Sequence, residues 1–208
     1  MTKEDHRSLR VDLGGNLSTG SPAGDHALFF ARTWAERLAD ELPAAISAST
    51  ALIKDDRAFE RMEDWSPSED DVARSFRRMW AANASVVWTG YQAQRWLRRL
   101  ARELDEEPPD EVPSLKSLRD ALEHLDSALF DDTGTAVTDP VDRRQTGLKK
   151  IGGLRVESWD PGGPLFALVD VAALRRLSQG ITDRLHSLLN EVAEDYAVQA
   201  EIDRLRGK

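Results

Sequence analysis

The chain has 208 residues, 40% hydrophobic and 31% charged, which suffices to bury one substantial core, so a single globular domain is expected. It has no cysteine, which excludes disulfides, thiolate metal sites and cysteine nucleophiles and fits a reducing, cytoplasmic compartment. No apolar run approaches the ~20 residues that span a bilayer, the opening MTKEDHRSLRVDLGGNL lacks the apolar core of a secretion signal, and a formal charge of −9 argues against a surface that coats nucleic acid throughout.

Residues 1 to about 24 carry Gly14, Gly15, Gly20, Pro22 and Gly24 among polar residues, with too few apolar side chains to offset the entropy of ordering, and predict a flexible tail. From Asp25 a helical spacing begins through Leu28, Phe29, Trp34, Leu38, Leu42, Ile46 and Ile53. Pro43 should kink or interrupt it, giving one helix or a broken pair. The stretch DWSPSEDD starts the next helix: Ser66 or Ser68 can cap free amides, and Glu69, Asp70 and Asp71 suit the positive end of the helix dipole. That helix should run from about 69 to 106 and stop before EEPPDEVP, whose prolines cannot continue it. Ser114 opens a third helix, which fades at DDTGTAVTDP and completes a helical core over about 25–130.

A flexible basic stretch, RRQTGLKKIGG, follows; then LRVESW and PLFALVD, around DPGG, predict a small β-hairpin over about 153–169. Asp170 can cap a final helix over about 171–205, whose seam of Leu174, Leu177, Ile181, Leu185, Leu188, Val192 and Tyr196 faces either the core or a second copy. The expected fold is therefore mainly α: a helical bundle with a small C-terminal hairpin before a last long helix, all in one domain over 25–208.

The octapeptide SLRDALEH (117–124) sets Arg119, Asp120 and His124 within two turns of the third helix. At ~100° per residue, Leu115, Leu118, Leu122, Leu125 and Leu129 form one stripe, and Arg119 and His124 fall on its two flanks, roughly 140° and 7.5 Å apart. One helix alone does not clamp an atom between them, whereas two copies crossing at a two-fold axis bring the flanking groups together. Arg119–Glu123 and Asp120–His124 are also ordinary i,i+4 surface pairs. With 22 arginines, an arginine four to six residues before a histidine is expected about once by chance, so context has to carry the pattern.

On the long helix, Arg74, Arg77, Arg95, Arg98, Arg99 and Arg102 share one side with Trp88 and Tyr91, opposite Val72, Met79, Val86, Ala93, Leu97 and Leu104. Such a face could follow the phosphates and stack the bases of RNA, or it could be a solvated surface that meets acidic groups. Trp80, Trp88 and Trp96 read as packing or interface residues. His6 and His26 sit at or near the expected tail, and His186 lies on the last helix with no carboxylate at metal-ligand spacing, so no metal or other cofactor is expected; IGG and DPGG read as turns, not phosphate loops.

The string LRDALEHLD, in the helix after a long second helix of an all-α domain, resembles the signature helix of HEPN domains (higher eukaryotes and prokaryotes nucleotide-binding). The match is Arg119, Asp120 and His124. The resemblance implies a HEPN-like antiparallel bundle and a metal-independent endoribonuclease of toxin or anti-phage type, working as a homodimer. His124 would then be the acid–base, Arg119 the phosphate-stabilising group and Asp120 their orienting neighbour. The alternatives are a non-catalytic HEPN-like binding protein, paired with RNA, a nucleotidyltransferase-type antitoxin or another protein, and an unrelated helical oligomer.

Overall fold

The first helix, α1 (Pro22–Glu60), starts where its caps are supplied: Ser21 Oγ accepts the Gly24 amide at 3.0 Å, and Asp25 accepts the Thr19 amide and hydroxyl at 2.7 and 3.0 Å. These and all later observations come from a computed structural model that describes Thr19 and residues 21–62, 65–141, 144–156 and 163–207; at 189, 192, 193, 195 and 196 only the backbone is described. The expected tail otherwise lies outside the described residues, and the helix begins three residues before the sequence pattern did. Pro43 does not break α1. Leu38, Leu42 and Ala45, all buried, hold the turns on both sides of it against the second helix, so packing outweighs one lost hydrogen bond.

Helix α2 (Glu69–Glu103) is capped by Ser68, whose Oγ accepts the Asp71 amide while the Asp71 carboxylate accepts the Ser68 amide; Ser66 instead donates to the Ala58 carbonyl at 2.6 Å. α1 and α2 run antiparallel, as Phe30 stacked on Trp96 (4.5 Å between centroids), Glu41 bonded to Ser85, and Asp55 bonded to Ser75 show along their length. Met79, Val86, Ala93 and Leu97 are buried as the pattern required.

The third helix, α3 (Leu115–Glu123), is nine residues long and ends before the leucine stripe does. Leu115 and Leu118 are fully buried, but Leu125 sits in a 3-10 turn (Leu125–Ser127) and Leu129 is exposed in strand β1 (Leu129–Phe130). The stretch read as a fading helix is a hairpin: β1 pairs with β2 (Thr135–Val137) in the register Leu129↔Val137 and Phe130↔Ala136. Its turn is closed by Asp131 Oδ1, which accepts the amides of Thr133 and Thr135 at 2.8 and 3.0 Å, with Gly134 at φ 72°. Two short-range devices thus outweigh helical propagation.

The predicted 153–169 hairpin also pairs differently. Strand β3 (Leu154–Arg155) adds to β2, giving the antiparallel order β1-β2-β3, while Leu165 bridges Val169 across a tight turn in which Phe166 and Ala167 have positive φ. Asp160, Pro161 and Gly162 of DPGG lie outside the described set. Between β2 and β3, the supposedly flexible basic stretch contains α4 (Thr146–Ile151), terminated by Gly152 at φ 72°. α4 packs on α3 so closely that Gly147 touches the α3 backbone.

Helix α5 (Val171–Leu205) begins as expected, with Asp170 accepting the amides of Ala172 and Ala173 at 2.9 and 3.2 Å. Leu174, Leu177, Ile181, Leu185 and Leu188 face the core; the Val192 and Tyr196 side chains lie outside the described set. One hydrophobic cluster joins residues of α1 to α5 with Ala136 and Leu154 of the sheet, and the chain is mainly α. No helix among the described residues is long and apolar enough to cross a membrane.

Candidate functional site around Arg119 and His124

Arg119 projects from α3 onto α2 and is held from several directions. Its Nη1 lies 2.8 Å from Asp120 Oδ1 and 2.7 Å from Glu123 Oε2, and Nη2 lies 3.3 Å from Glu123 Oε1. Its guanidinium carbon stands 4.6 Å from the Trp88 ring centroid and 5.0 Å from that of Tyr91. The side chain is 17% exposed, and Nε is buried without a hydrogen-bond partner. One cation between two carboxylates leaves the local charge negative.

Asp120, expected to orient the histidine, bonds Arg119 instead. His124 is not inside α3 but at its C-cap, with φ −113° and ψ 20°, so the flank geometry of a continuous helix does not apply. Its carbonyl accepts the Ser127 amide and hydroxyl at 3.3 and 3.1 Å. The imidazole is partly buried and makes no hydrogen bond or ion pair among the described residues. Gln145, 2% exposed, fixes the following turn by donating to the Ser127 carbonyl at 2.6 Å and accepting the Asp139 amide at 2.7 Å.

The α2 arginines lie on the exposed side of that helix, but three are engaged within the chain. Arg74 meets Asp71 at 2.8 Å, Arg98 meets Glu111 at 3.2 Å and Arg99 meets Glu103 at 2.5 Å. Arg95 lies over Tyr91 at 5.7 Å; Arg77 and Arg102 are exposed and make no ion pair among the described residues. Tyr91 is buried and Trp88 is 39% exposed beneath Arg119, so the rings expected to stack bases already carry a guanidinium.

A further polar cluster joins α1 to α2 at Glu41, whose Oε2 accepts from Thr89 at 2.7 Å and Ser85 at 2.9 Å, while Oε1 meets Arg37 at 2.5 Å. Burial opposes ionisation of Glu41, but the bonds from Thr89, Arg37 and Ser85 outweigh it and hold the carboxyl below its ordinary range. Its partners lie 44 and 48 positions away, with no local signal to join them. No group of three or more His, Asp or Glu among the described residues is arranged to hold a metal ion. Compared with protein-family models, curated proteins and solved structures, the chain matches none of them.

Proposed function

We propose that this chain is a non-catalytic helical binding protein whose partner is a polypeptide, in keeping with a cysteine-free cytoplasmic protein, and that Arg119 is a clamp between α3 and α2. The environment of Arg119 carries this reading. To take a phosphate, its guanidinium would have to release Asp120 and Glu123, and an approaching anion would meet both carboxylates. The pairs at Arg74, Arg98 and Arg99 divert the long basic face in the same way. Large apolar side chains remain uncovered nearby in sequence, Leu129 and Phe130 at 50% and 56% exposure on an edge strand.

One specific pair of observations favours the HEPN-like endoribonuclease as the second reading: the imidazole of His124 is unengaged among the described residues and Arg119 Nε is uncommitted. There His124 would take the proton of a ribose 2′-hydroxyl as its oxygen attacks the adjacent phosphate, and would return that proton to the 5′-oxygen as the P–O5′ bond breaks. Arg119 would stabilise the phosphoryl charge, and the products would be a 2′,3′-cyclic phosphate and a 5′-hydroxyl end.

The two readings separate in one experiment, RNA incubation with chelator plus thermal unfolding of wild type, Arg119→Ala and His124→Ala. The clamp reading expects no cleavage by wild type. It also expects Arg119→Ala to lose about 2 kcal/mol from two ring contacts and two partly exposed ion pairs, lowering Tm by roughly 4–8 °C, with His124→Ala near neutral. Metal-independent cleavage that disappears in a folded His124→Ala protein overturns it.

A further inference from the structure

Two surfaces have no occupant among the described residues, and they fit one another. The first is the far half of α5. Ser178 Oγ donates to the Ala35 carbonyl at 3.4 Å, a Cβ on Gly90 would meet Leu174 at 2.8 Å, and Arg184 pairs with Glu106, so α5 runs antiparallel to α1 and parallel to α2. Counted along those contacts, the start of α1 and the end of α2 fall beside residues of about 187–191. The last 14 or so residues of α5 therefore project about 20 Å beyond both neighbours. No described residue after Leu188 is buried, and Val198 and Leu205 are 60% and 76% exposed.

The second is a cleft of about 610 Å³ between the end of α2, the 109–113 connector and the first half of α5, lined by apolar Leu97, Val112, Ala173, Leu177 and Gly180 together with charged Asp110, Glu111 and Arg176. Gly180 stands inside a long helix with nothing within 4 Å of where its Cβ would be. A helix-interior glycine costs about 1 kcal/mol relative to alanine. No neighbour among the described residues requires it, whereas a second helix approaching closely would.

At ~100° per residue, Ala173, Leu177 and Gly180 centre within about 20° of the line through Val198, Ile202 and Leu205, so cleft and arm belong to one face of α5. We infer that two copies pair through antiparallel α5 helices, each laying its projecting arm in the cleft of the other. A two-fold axis beside residue 189 sets Val198 of the second copy against Gly180, Ile202 against Leu177 and Leu205 against Ala173. The same register opposes Arg184, bridged to Glu106 and Glu191 in its own chain, to Glu194 of the second copy. Symmetry makes each contact twice. The pairing holds whichever role Arg119 has, and its test reads association and not RNA.

A chain without cysteine makes that test direct. Within one chain positions 180 and 198 are about 27 Å apart along the helix, beyond a short bis-maleimide, whereas in the pair they are adjacent. Wild type should sediment as a dimer at tens of micromolar. The Gly180→Cys/Val198→Cys protein should crosslink to a covalent dimer while neither single variant does. Val198→Glu with Ile202→Glu, on the exposed arm, should weaken the dimer at least tenfold with the helical circular-dichroism signal retained. A monomeric wild type, or a dimer that survives the glutamates and gives no 180–198 crosslink, overturns the pairing.

Discussion

Gly147 should tolerate no side chain, because α4 rests on the backbone of α3 at that residue. A Cβ there would lie 2.6 Å from the Ser117 carbonyl oxygen, 2.6 Å from Asp120 Cβ and 2.7 Å from the Ala121 amide nitrogen. Ordinary contact begins near 3.4 Å, so α4 would have to retreat by several tenths of an ångström, and the obstructing atoms include main chain that no rotamer change can move. That retreat drags Leu148, 1% exposed, out of its place in the core. Overpacking of this kind costs about 1–3 kcal/mol, against up to about 1 kcal/mol of helix propensity regained. We expect Gly147→Ala to lose about 2 kcal/mol, read as a lower urea midpoint at unchanged m, or a Tm lower by roughly 4–8 °C. Gly180→Ala is the matched control: its Cβ enters open space, so at protein concentrations dilute enough to keep chains apart it should gain up to about 1 kcal/mol. Equal or higher stability of Gly147→Ala would refute the close approach of α4 to α3, and with it the support beneath the Arg119–Asp120 pair.

The depressed carboxyl of Glu41 makes its stabilising contribution above the unfolded-state pKa, and that contribution is lost as pH falls through the folded value. Glu41→Gln should therefore cost about 1–2 kcal/mol at neutral pH, with the difference from wild type shrinking below the ordinary value of 4.5 in a pH series of urea unfolding curves. A constant difference down to strongly acid pH would contradict the linkage. Gln145→Ala strands the Asp139 amide and the Ser127 carbonyl and should cost about 1–3 kcal/mol, with faster hydrogen exchange at Asp139; unchanged exchange there would rule out the clasp.

Much of the architecture was legible because its determinants are local. Ser68 with Asp71, and Asp170 before Ala172 and Ala173, are caps that need only adjacent residues, and the apolar spacing of α2 and of the first half of α5 identified their buried faces. Tertiary contacts decided the rest. Pro43 reads as a break until buried neighbours hold the helix straight, and the leucine stripe predicts a longer α3 until the Asp131 turn and the β2 partner take its last leucine into a strand. LRV reads as half of a hairpin with the segment after DPGG, yet β3 pairs with β2, a choice made by which edge is available in space. The same holds at the site. Sequence alone placed Arg119, Asp120 and His124 together, but only the packed structure brings Trp88 and Tyr91 beneath the guanidinium and bonds Asp120 to Arg119, because contacts across some 30 positions leave no periodic trace in a chain.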